Sequence, residues 1–421
     1  MSGLSFGRGA AVLGATLASL LVLACDEASP DVATSASSVT TSTATTVASG
    51  GGEGGAGGAP STSSGLGGSG DGPPKPRPIW VTGYYAGWME GHLPVDEIDF
   101  TAISHLAHFS WVPMPNGTLD KTSLGWTASQ ATKVVAAAHA AGKKALLVVG
   151  GAWTQEGFRA HLAPAKRAAF VKALVDGVAA HGYDGIDVDM EPVSTEDAPA
   201  FGAFATELRA ALDGLGNGRL LTAAVDWNKT AFVPVQDVFD QVNLMTYDMA
   251  GTWEGWETWH NSPLHNGGAN FASTGQPMPS VETRVAKALA DGAKPAKLGI
   301  GGAFYGYVWQ GANGPNQSIA GLKVTANKAY HAIMAEDFSA SAFLWHDGVE
   351  APYLSLGAKG SPDSRFISYD DAKSLTKKIA WLRETGLGGL IVWELGGGYR
   401  PTLPPGERHP LLAAVKDAAF P

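Results

Sequence analysis

From residue 79 to the C-terminus, short runs of apolar and β-branched residues alternate with longer segments rich in Ala and Leu. The short runs favour β-strands, and segments such as 163–181 and 198–215 have the apolar spacing of helices. Strands that alternate with helices over this length predict an α/β fold, and eight strands favour a (β/α)8 TIM barrel over an open doubly wound sheet. The predicted strands are Trp80–Tyr84, Ile103–Phe109, Lys144–Val149, Gly185–Met190, Leu220–Val225, Gln241–Tyr247, Lys297–Phe304 and Leu390–Trp393.

The interval between the seventh and eighth predicted strands is too long for a single connecting helix. Residues 306–368 contain several aromatic residues, whereas the connections between neighbouring elements of a compact domain are usually short. We therefore predict a small α+β insertion at about residues 306–368. The rest of residues 79–421 is predicted to be one barrel domain.

The N-terminal segment has the organisation of an export signal. Arg8 precedes an apolar stretch, Ala10–Leu23, that is too short to span a bilayer comfortably. The chain's only cysteine, Cys25, follows Ala24, and this end of the stretch resembles the lipobox of bacterial lipoproteins. We predict a lipoprotein signal peptide over residues 1–25, with lipidation of Cys25; an ordinary signal peptide is the alternative. The protein would be exported, either lipid-anchored in the cell envelope (outer membrane or cell surface) or extracellular.

Residues 26–78 consist mainly of Ser, Thr, Gly and Ala and end in a Pro-rich stretch. Such a segment has too little apolar surface to offset the entropy that is lost when a chain becomes ordered. We therefore predict a disordered linker that tethers the barrel to its lipid anchor.

The charge balance limits the possible partners. The chain has 39 acidic and 29 basic residues, a net charge of −10, and no run of Lys and Arg interleaved with aromatics. Nucleic acids and anionic membranes attract clustered positive charge, so we expect no nucleic acid partner and membrane contact only through the lipid. A neutral substrate agrees better with this composition. We expect a monomer.

The most informative segment is Asp184–Glu191, in which acidic and apolar residues alternate. On a strand this spacing directs Asp187, Asp189 and Glu191 to one side, roughly 6.5–7 Å apart along the strand. Three carboxyl groups inside a barrel would repel one another and lose hydration, which indicates function rather than stability. A solvated acidic strand or a calcium loop is the alternative, but calcium loops lack this β-branched alternation.

Glu191 comes last and would lie nearest the C-terminal mouth of the barrel, where active sites of this fold are found. Asp189, two residues deeper, would share a proton or a hydrogen bond with it. A carboxyl group kept neutral by a neighbouring carboxylate is suited to act as a general acid.

The Asp184–Glu191 segment resembles the DxxDxDxE signature of family 18 of the glycoside hydrolases, the chitinase family. Shorter motifs of that family follow in the expected order, and the resemblance extends from Ile79 to the C-terminus. These motifs are Gly83-Tyr84-Tyr85, Gly150-Gly151, Met245-Thr246-Tyr247-Asp248, Phe304-Tyr305-Gly306 and Trp393-Glu394, with Trp345, Pro352-Tyr353 and Ile367–Asp371 in and after the insertion.

The resemblance implies a retaining, substrate-assisted hydrolysis of β-1,4 linkages between N-acetylglucosamine units. Glu191 would protonate the glycosidic oxygen, and the acetamido oxygen of the substrate would attack the anomeric carbon. Asp189 would stabilise the resulting oxazolinium, Asp187 would modulate Asp189, and Tyr247 and Asp248 would hold the acetamido group and the distorted sugar. The resemblance implies no cofactor and no metal, and chitin or N-acetylglucosamine oligosaccharides as partners.

The same resemblance implies a set of substrate-binding residues. Trp393 would form the floor beneath the distorted sugar, and Trp153 and Trp253 would be stacking platforms. Tyr84, Met245 and Tyr305 would line the cleft. For Trp256 and Trp259 the sequence leaves binding and packing open.

Two positions depart from the family pattern. Val148 stands where many relatives carry a Ser that helps to hydrogen-bond the deeper aspartate, so the support of Asp187 is in question. Met190 replaces an aromatic residue before Glu191, on the face that we expect to point outward.

Alternative functions remain open at this point. A non-hydrolytic chitin-binding lectin shares the fold but usually lacks the acid that Glu191 supplies here. An endo-β-N-acetylglucosaminidase acting on N-glycans shares the acidic motif and the mechanism. Action on peptidoglycan is less favoured, because no wall-binding repeat is found.

Overall fold

A computed structural model describes residues 77–226 and 231–421. The predicted signal peptide with Cys25 and residues 26–76 of the predicted linker lie outside the described residues. Residues Arg77–Pro421 form one compact unit. No helix in the described ranges is long and apolar enough to cross a membrane.

The strands and helices of this unit alternate along the chain. The strands are β1 (Trp80–Ala86), β2 (His105–Pro113), β3 (Leu119–Asp120), β4 (Lys144–Gly151), β5 (Gly185–Met190), β6 (Leu220–Val225), β7 (Gln241–Leu244), β8 (Leu298–Ala303), β9 (Tyr305–Gln310), β10 (Lys323–Ala329), β11 (Phe343–His346), β12 (Ala351–Leu356), β13 (Arg365–Ser368) and β14 (Gly389–Trp393). The α-helices are α1 (Ala128–Ala140), α2 (Gln155–Leu162), α3 (Pro164–His181), α4 (Ala198–Gly214), α5 (Val281–Ala290), α6 (Tyr330–Glu336), α7 (Ala372–Glu384), α8 (Leu395–Gly398) and α9 (Pro410–Ala419).

Eight of these strands close into a parallel barrel. Neighbours pair in the order β1, β2, β4, β5, β6, β7, β8 and β14, and β14 pairs with β1. The predicted (β/α)8 barrel is confirmed. Because all eight strands run in the same direction, their C-terminal ends meet at one mouth of the barrel.

Two core layers follow from the period-2 alternation of the strands. On β5, Ile186, Val188 and Met190 are buried in the outer layer between strands and helices, as the sequence pattern predicts. An inner layer fills the barrel and includes Phe109 and Val148. Full burial of each such apolar side chain stabilises the fold by about 1.5–3 kcal/mol.

Six of the eight barrel strands differ from the predicted boundaries by one to four residues, and two of these differences are the largest. The sixth barrel strand, β7, ends at Leu244 rather than at Tyr247, and the chain turns there because the N–H of Thr246 hydrogen-bonds to the carbonyl of Leu244 at 2.9 Å. The second barrel strand extends to Pro113, where it pairs in antiparallel fashion with β3. The N–H of Met245 still bonds to the carbonyl of Val225 at 2.8 Å, and residues 246–248 lie beyond the strand at the mouth of the barrel.

A second sheet lies in sequence between β8 and β14. Its five strands have the spatial order β10, β9, β13, β12 and β11, all neighbours are antiparallel, and α6 follows β10. A single residue, Phe304, separates β8 from β9. This short connection brings the first residue of the second sheet, Tyr305, to the end of a barrel strand.

Candidate active site

Asp187, Asp189 and Glu191 follow one another along β5 toward the mouth of the barrel. Asp187 is fully buried, Asp189 is 3% exposed, and Glu191, directly after the strand, is partly exposed. The outward neighbours of the two aspartates belong to the outer core, so the aspartates lie on the inner side. From Asp187 to Glu191, the three carboxyl groups therefore lie progressively less deep inside the barrel.

Asp187 is held by hydrogen bonds from two other strands. The hydroxyl of Tyr84 on β1 donates to Asp187 Oδ2 at 2.7 Å, and the hydroxyl of Thr222 on β6 donates to Oδ1. Burial raises the pKa of Asp187 to about 6, although both hydrogen bonds act in the opposite direction.

Asp187 has a hydrogen-bond donor although position 148 is Val rather than the Ser of many relatives. Val148 pairs with Asp187 on the β4 side and is fully buried, whereas Thr222 pairs with Asp187 on the β6 side. A hydroxyl from one neighbouring strand thus supports Asp187 where the other neighbour is apolar. Met190, the second departure, is packed in the outer core, as expected.

Asp189 and Glu191 share a hydrogen bond, and the pKa of each is raised. Burial is the largest cause for both groups, followed by the charge of Asp187 for Asp189 and by the charge of Asp189 for Glu191. Asp189 Oδ1 is buried and accepts no hydrogen bond from the described residues. The pair can therefore retain a proton near neutral pH and still offer an acceptor to a ligand.

Two glycines let β4 approach this pair. Gly150 and Gly151 have φ values of 113° and 124°, which side chains rarely tolerate. A Cβ atom on Gly150 would lie 2.0 Å from the carbonyl oxygen of Asp189, and one on Gly151 would lie 2.7 Å from the ring of Phe109. The Gly-Gly pair is thus required by close packing beside the carboxyl groups.

Tyr247 lies after β7 with its ring buried beside the carboxyl groups. Its pKa is raised well above the usual range by burial and then by the charges of Asp189 and Glu191, so the hydroxyl remains a proton donor. The ring packs edge-on against Tyr305 at 5.9 Å. A Cβ on Gly301 of β8 would lie 2.6 Å from this ring, so a glycine is needed there.

Asp248, the next residue, is exposed and has a φ of 54°. Its N–H donates to Asn261 Oδ1 at 2.9 Å, and its Oδ1 accepts a hydrogen bond from the hydroxyl of Tyr305 at 2.6 Å. Tyr307 also hydrogen-bonds to Asp248. These contacts hold the side chain of Asp248 beside β9 of the second sheet, and burial of its carboxyl group raises its pKa although the two hydrogen bonds act in the opposite direction.

Trp393, at the end of β14, lies across the mouth beside Tyr84. Its ring is 5.7 Å from Tyr84 and 4.8 Å from Phe109. Trp88, which the sequence analysis did not single out, is 48% exposed and lies 6.3 Å from Trp393. Its position directly after the first barrel strand was the signal that could have identified it.

The remaining predicted aromatic residues separate into exposed and packed side chains. Trp153, after β4, is 48% exposed, and Trp253 is 37% exposed and contacts Trp256 at 4.5 Å. Trp259 is buried, and its indole N–H donates to the carbonyl of Pro279 at 2.8 Å, so it has a packing role. Met245 is partly exposed at the end of β7.

Two further acidic residues flank the predicted set. Asp226, directly after β6, was missed, yet its charge acts on both Asp189 and Glu191. Asp184, at the opposite end of β5, accepts hydrogen bonds from Lys144, His139 and the N–H of Ala145, so it has a structural role at the start of the strand. Among the described residues, no three His, Cys, Asp or Glu side chains are grouped as metal ligands would be.

Comparison with known proteins covers most of the described unit. The family described as glycosyl hydrolases family 18 matches residues 81–398. Chitinase A1 of Niallia circulans is 31% identical over 294 residues, which cover 62% of this chain and 41% of that protein, so the chain spans less than half of this relative. A chitinase-like effector of Moniliophthora perniciosa is 27% identical over 383 residues, covering 76% of this chain and 84% of the relative.

Solved structures have the same fold. The Group IV chitinase of Ostrinia furnacalis in complex with allosamidin has a TM-score of 0.69 at 24% identity, covering 80% of this chain and 98% of that chain. A family 18 N-acetylglucosaminidase from Paenibacillus barengoltzii has a TM-score of 0.66 at 25% identity, covering 81% and 99%. With the family match over residues 81–398, these likenesses lead to one assignment: the chain belongs to family 18 of the glycosyl hydrolases.

Proposed function

We propose that the protein is a chitinase that hydrolyses β-1,4 linkages between N-acetylglucosamine units, with Glu191 as general acid and base. The observation that carries the proposal is the Asp189–Glu191 pair, whose raised pKa values keep a proton on a carboxyl group at the barrel mouth. Cleavage of a glycosidic bond needs such a donor near neutral pH. The chitinases among the relatives support chitin as the substrate.

In the first step, Glu191 gives its proton to the glycosidic oxygen while the bond from this oxygen to the anomeric carbon breaks. The acetamido oxygen of the same sugar attacks that carbon and forms a cyclic oxazolinium. Asp189 Oδ1, which lacks a hydrogen-bond donor among the described residues, accepts the acetamido N–H. The cationic oxazolinium then offsets the repulsion between two ionised carboxylates.

In the second step, Glu191 takes a proton from water, and the oxygen of this water attacks the anomeric carbon. The bond to the acetamido oxygen breaks, and the product keeps the β-configuration. Because two inversions occur at one carbon, the mechanism requires retention, as any double displacement does. Glu191 regains the proton that the first step consumed.

Four further residues support the reaction at the Asp189–Glu191 pair. Tyr247, protonated at all relevant pH values because burial raises its pKa, donates to the acetamido oxygen. Asp248 contacts the distorted sugar, and Trp393 forms the apolar floor beneath it. Asp187 stays buried behind Asp189, and its charge raises the pKa of Asp189. Burial makes each of these interactions stronger than it would be in water.

The substrate path is proposed to follow the exposed indole rings of Trp88, Trp153 and Trp253. Indole faces stack on sugar rings without requiring charge. Tyr84, Met245 and Tyr305 line the cleft between them, and the second sheet, with Tyr305 at the start of β9, forms one wall. We further propose that Cys25 carries a lipid and that the exported protein acts as a monomer at the cell envelope.

The test is hydrolysis of defined N-acetylglucosamine oligosaccharides by the purified protein, with the anomeric form of the product followed by NMR. We expect β-product from the wild type and a loss of about 10²–10⁴-fold in Glu191→Gln, with binding retained. Glu196→Gln, an exposed residue of the loop after β5, is the matched control and keeps full activity.

Three results would contradict the proposal. Binding without cleavage by the wild type would favour the lectin function. Release of N-glycans without action on chitin oligosaccharides would leave Glu191 in its role but change the substrate. An α-product would exclude the substrate-assisted mechanism.

A further inference from the structure

The inward-pointing residues of β6 lie beside the carboxyl-bearing residues of β5. Thr222 pairs with Asp187 and hydrogen-bonds to it, so Thr222 points inward. Ala224, two residues later, is 1% exposed and belongs to the inner core. Since side chains of a strand alternate with period 2, the next inward position is that of Asp226.

Asp226 lies two residues beyond Ala224, at the C-terminal end of the strand that pairs with β5 from Gly185–Leu220 to Val188–Ala223. It directly follows the last residue of β6, Val225, whose carbonyl accepts a hydrogen bond from the N–H of Met245 at 2.8 Å. Asp226 is partly exposed. The proton donor of the proposed reaction thus has a second carboxyl neighbour, on a different strand from Asp189.

Charged or titratable groups from several elements act on Glu191 and Asp226. Burial and Asp189 are the largest causes of its raised pKa, and Asp226 comes next, before Asp248. Arg284 on α5 interacts with Asp226, whose charge opposes the lowering of the Arg284 pKa by burial. The groups that face Glu191 or Asp226 are Asp189 from β5, Tyr247 and Asp248 from the segment after β7, and Arg284 from α5.

We propose that Asp226 is a positioning residue of this active site: its carboxylate, at the mouth end of the strand next to β5, lies close enough to Glu191 to favour the protonated form of the donor, with Arg284 of α5 as its cationic neighbour. The inference rests on the hydrolysis proposed above and adds a residue to it. The functional consequence is retention of the donor proton at higher pH. A general acid loses activity where it deprotonates, so Asp226 extends the alkaline limb of the pH profile.

The test compares the pH dependence of kcat/KM for the wild type, Asp226→Asn and Asp226→Glu. Removal of the charge in Asp226→Asn moves the alkaline limb about half to one pH unit lower, so activity above the limb falls about three- to tenfold and the loss grows with pH. Asp226→Glu retains the negative charge, so its alkaline limb should lie at the same pH as that of the wild type. Glu196→Gln removes an equal charge farther along the loop after β5 and leaves the profile in place.

A second readout does not need activity. Infrared difference spectra of wild type and Asp226→Asn, with the Glu191 carboxyl band assigned through Glu191→Gln, report the protonation of Glu191 directly. If Asp226→Asn does not fold, Asp226→Ser gives the same neutral test. An unmoved limb and an unmoved infrared titration, or an equal loss at every pH, would overturn the inference. An inactive wild type with a shifted infrared titration would refute the proposed hydrolysis alone.

Discussion

Thr222 donates a hydrogen bond to Asp187 from the position that pairs with it across β5 and β6. Thr222→Val keeps the shape of the side chain but removes this donor from a buried carboxyl group. We expect a loss of about 1.5–3 kcal/mol in the free energy of unfolding, as for a hydrogen bond to a charged partner, and a lower kcat. Urea unfolding and oligosaccharide hydrolysis measure the two effects.

The neighbour on the opposite side of Asp187 offers a compensating change. Val148 pairs with Asp187 from β4, so Val148→Ser would supply a hydroxyl there. In the Thr222→Val background, Val148→Ser should restore part of the kcat, although it removes buried apolar volume. Val148→Ser alone is the control. A double variant that is no more active than Thr222→Val would show that a hydroxyl on β4 does not replace the one on β6.

The contrast between these two residues explains how much the sequence could predict. The alternation from Asp184 to Glu191 is local, so the direction of Asp187 and of its apolar neighbours could be predicted. The hydrogen bond from Thr222 could not, because the register between β5 and β6 depends on residues far apart in sequence. The question raised at Val148 was therefore answered only by the fold.

Asp226 and Trp88 were missed for a related reason. Each lies at or just beyond the C-terminal end of a barrel strand, where the sequence shows only a polar or an aromatic residue near a turn. Their relation to Glu191 and Trp393 depends on barrel closure, which places the ends of β1, β6 and β14 at one mouth.

Asp187 should make the stability of the protein depend on pH. Burial raises its pKa from 3.8 to about 6, so the folded state binds this proton more tightly than the unfolded state. The stabilisation is complete below pH 3.8 and is lost as the pH rises through about 6. Relative to the wild type, Asp187→Asn should therefore gain about 3 kcal/mol in the free energy of unfolding between these limits.

Urea unfolding at several pH values checks this prediction, and Asp184→Asn is a control of opposite sign. Burial would raise the pKa of Asp184, but hydrogen bonds from the Ala145 N–H, Lys144 and His139 lower it overall. Its stabilisation is present above the unfolded pKa and is lost at lower pH, so Asp184→Asn should lose stability relative to the wild type as pH rises. If the free energy of unfolding relative to the wild type had the same slope against pH in Asp187→Asn and Asp184→Asn, the opposite pKa shifts assigned to the two residues would be wrong.

The close approach of β4 to β5 should make Gly150 intolerant of a side chain. Gly150→Ala would combine an unfavourable φ of 113° with a Cβ only 2.0 Å from the carbonyl oxygen of Asp189. We expect a loss of about 3 kcal/mol or more in the free energy of unfolding and a fall in kcat as Asp189 shifts. Gly142→Ala is the control: its φ is 68° and nothing lies within 4 Å of the added Cβ. It should cost about 1 kcal/mol and leave kcat unchanged.

Lys378 joins α7 to the end of β8 through a buried ion pair. Its ammonium donates to both oxygens of Asp370 at 2.8 and 2.6 Å and to Ser262 Oγ at 2.6 Å, and Asp370 Oδ2 also accepts from the N–H of Ala303 at 3.1 Å. Both charged side chains are almost fully buried. Ser262 in turn donates to the carbonyl of Thr246, directly before Tyr247, so the pair also supports the segment that carries Tyr247.

Lys378→Met would leave the carboxylate of Asp370 buried without its counter-ion. We expect a loss of about 3–5 kcal/mol in the free energy of unfolding and a lower kcat, because the segment with Tyr247 loses its support. The adjacent Lys377 is exposed and pairs with Glu350 on the surface, so Lys377→Met should change neither quantity appreciably. Urea unfolding and oligosaccharide hydrolysis of the two variants distinguish the buried pair from the surface pair. Equal stability of the two would mean that packing around Asp370, rather than its charge pair with Lys378, stabilises this junction between α7 and the end of β8.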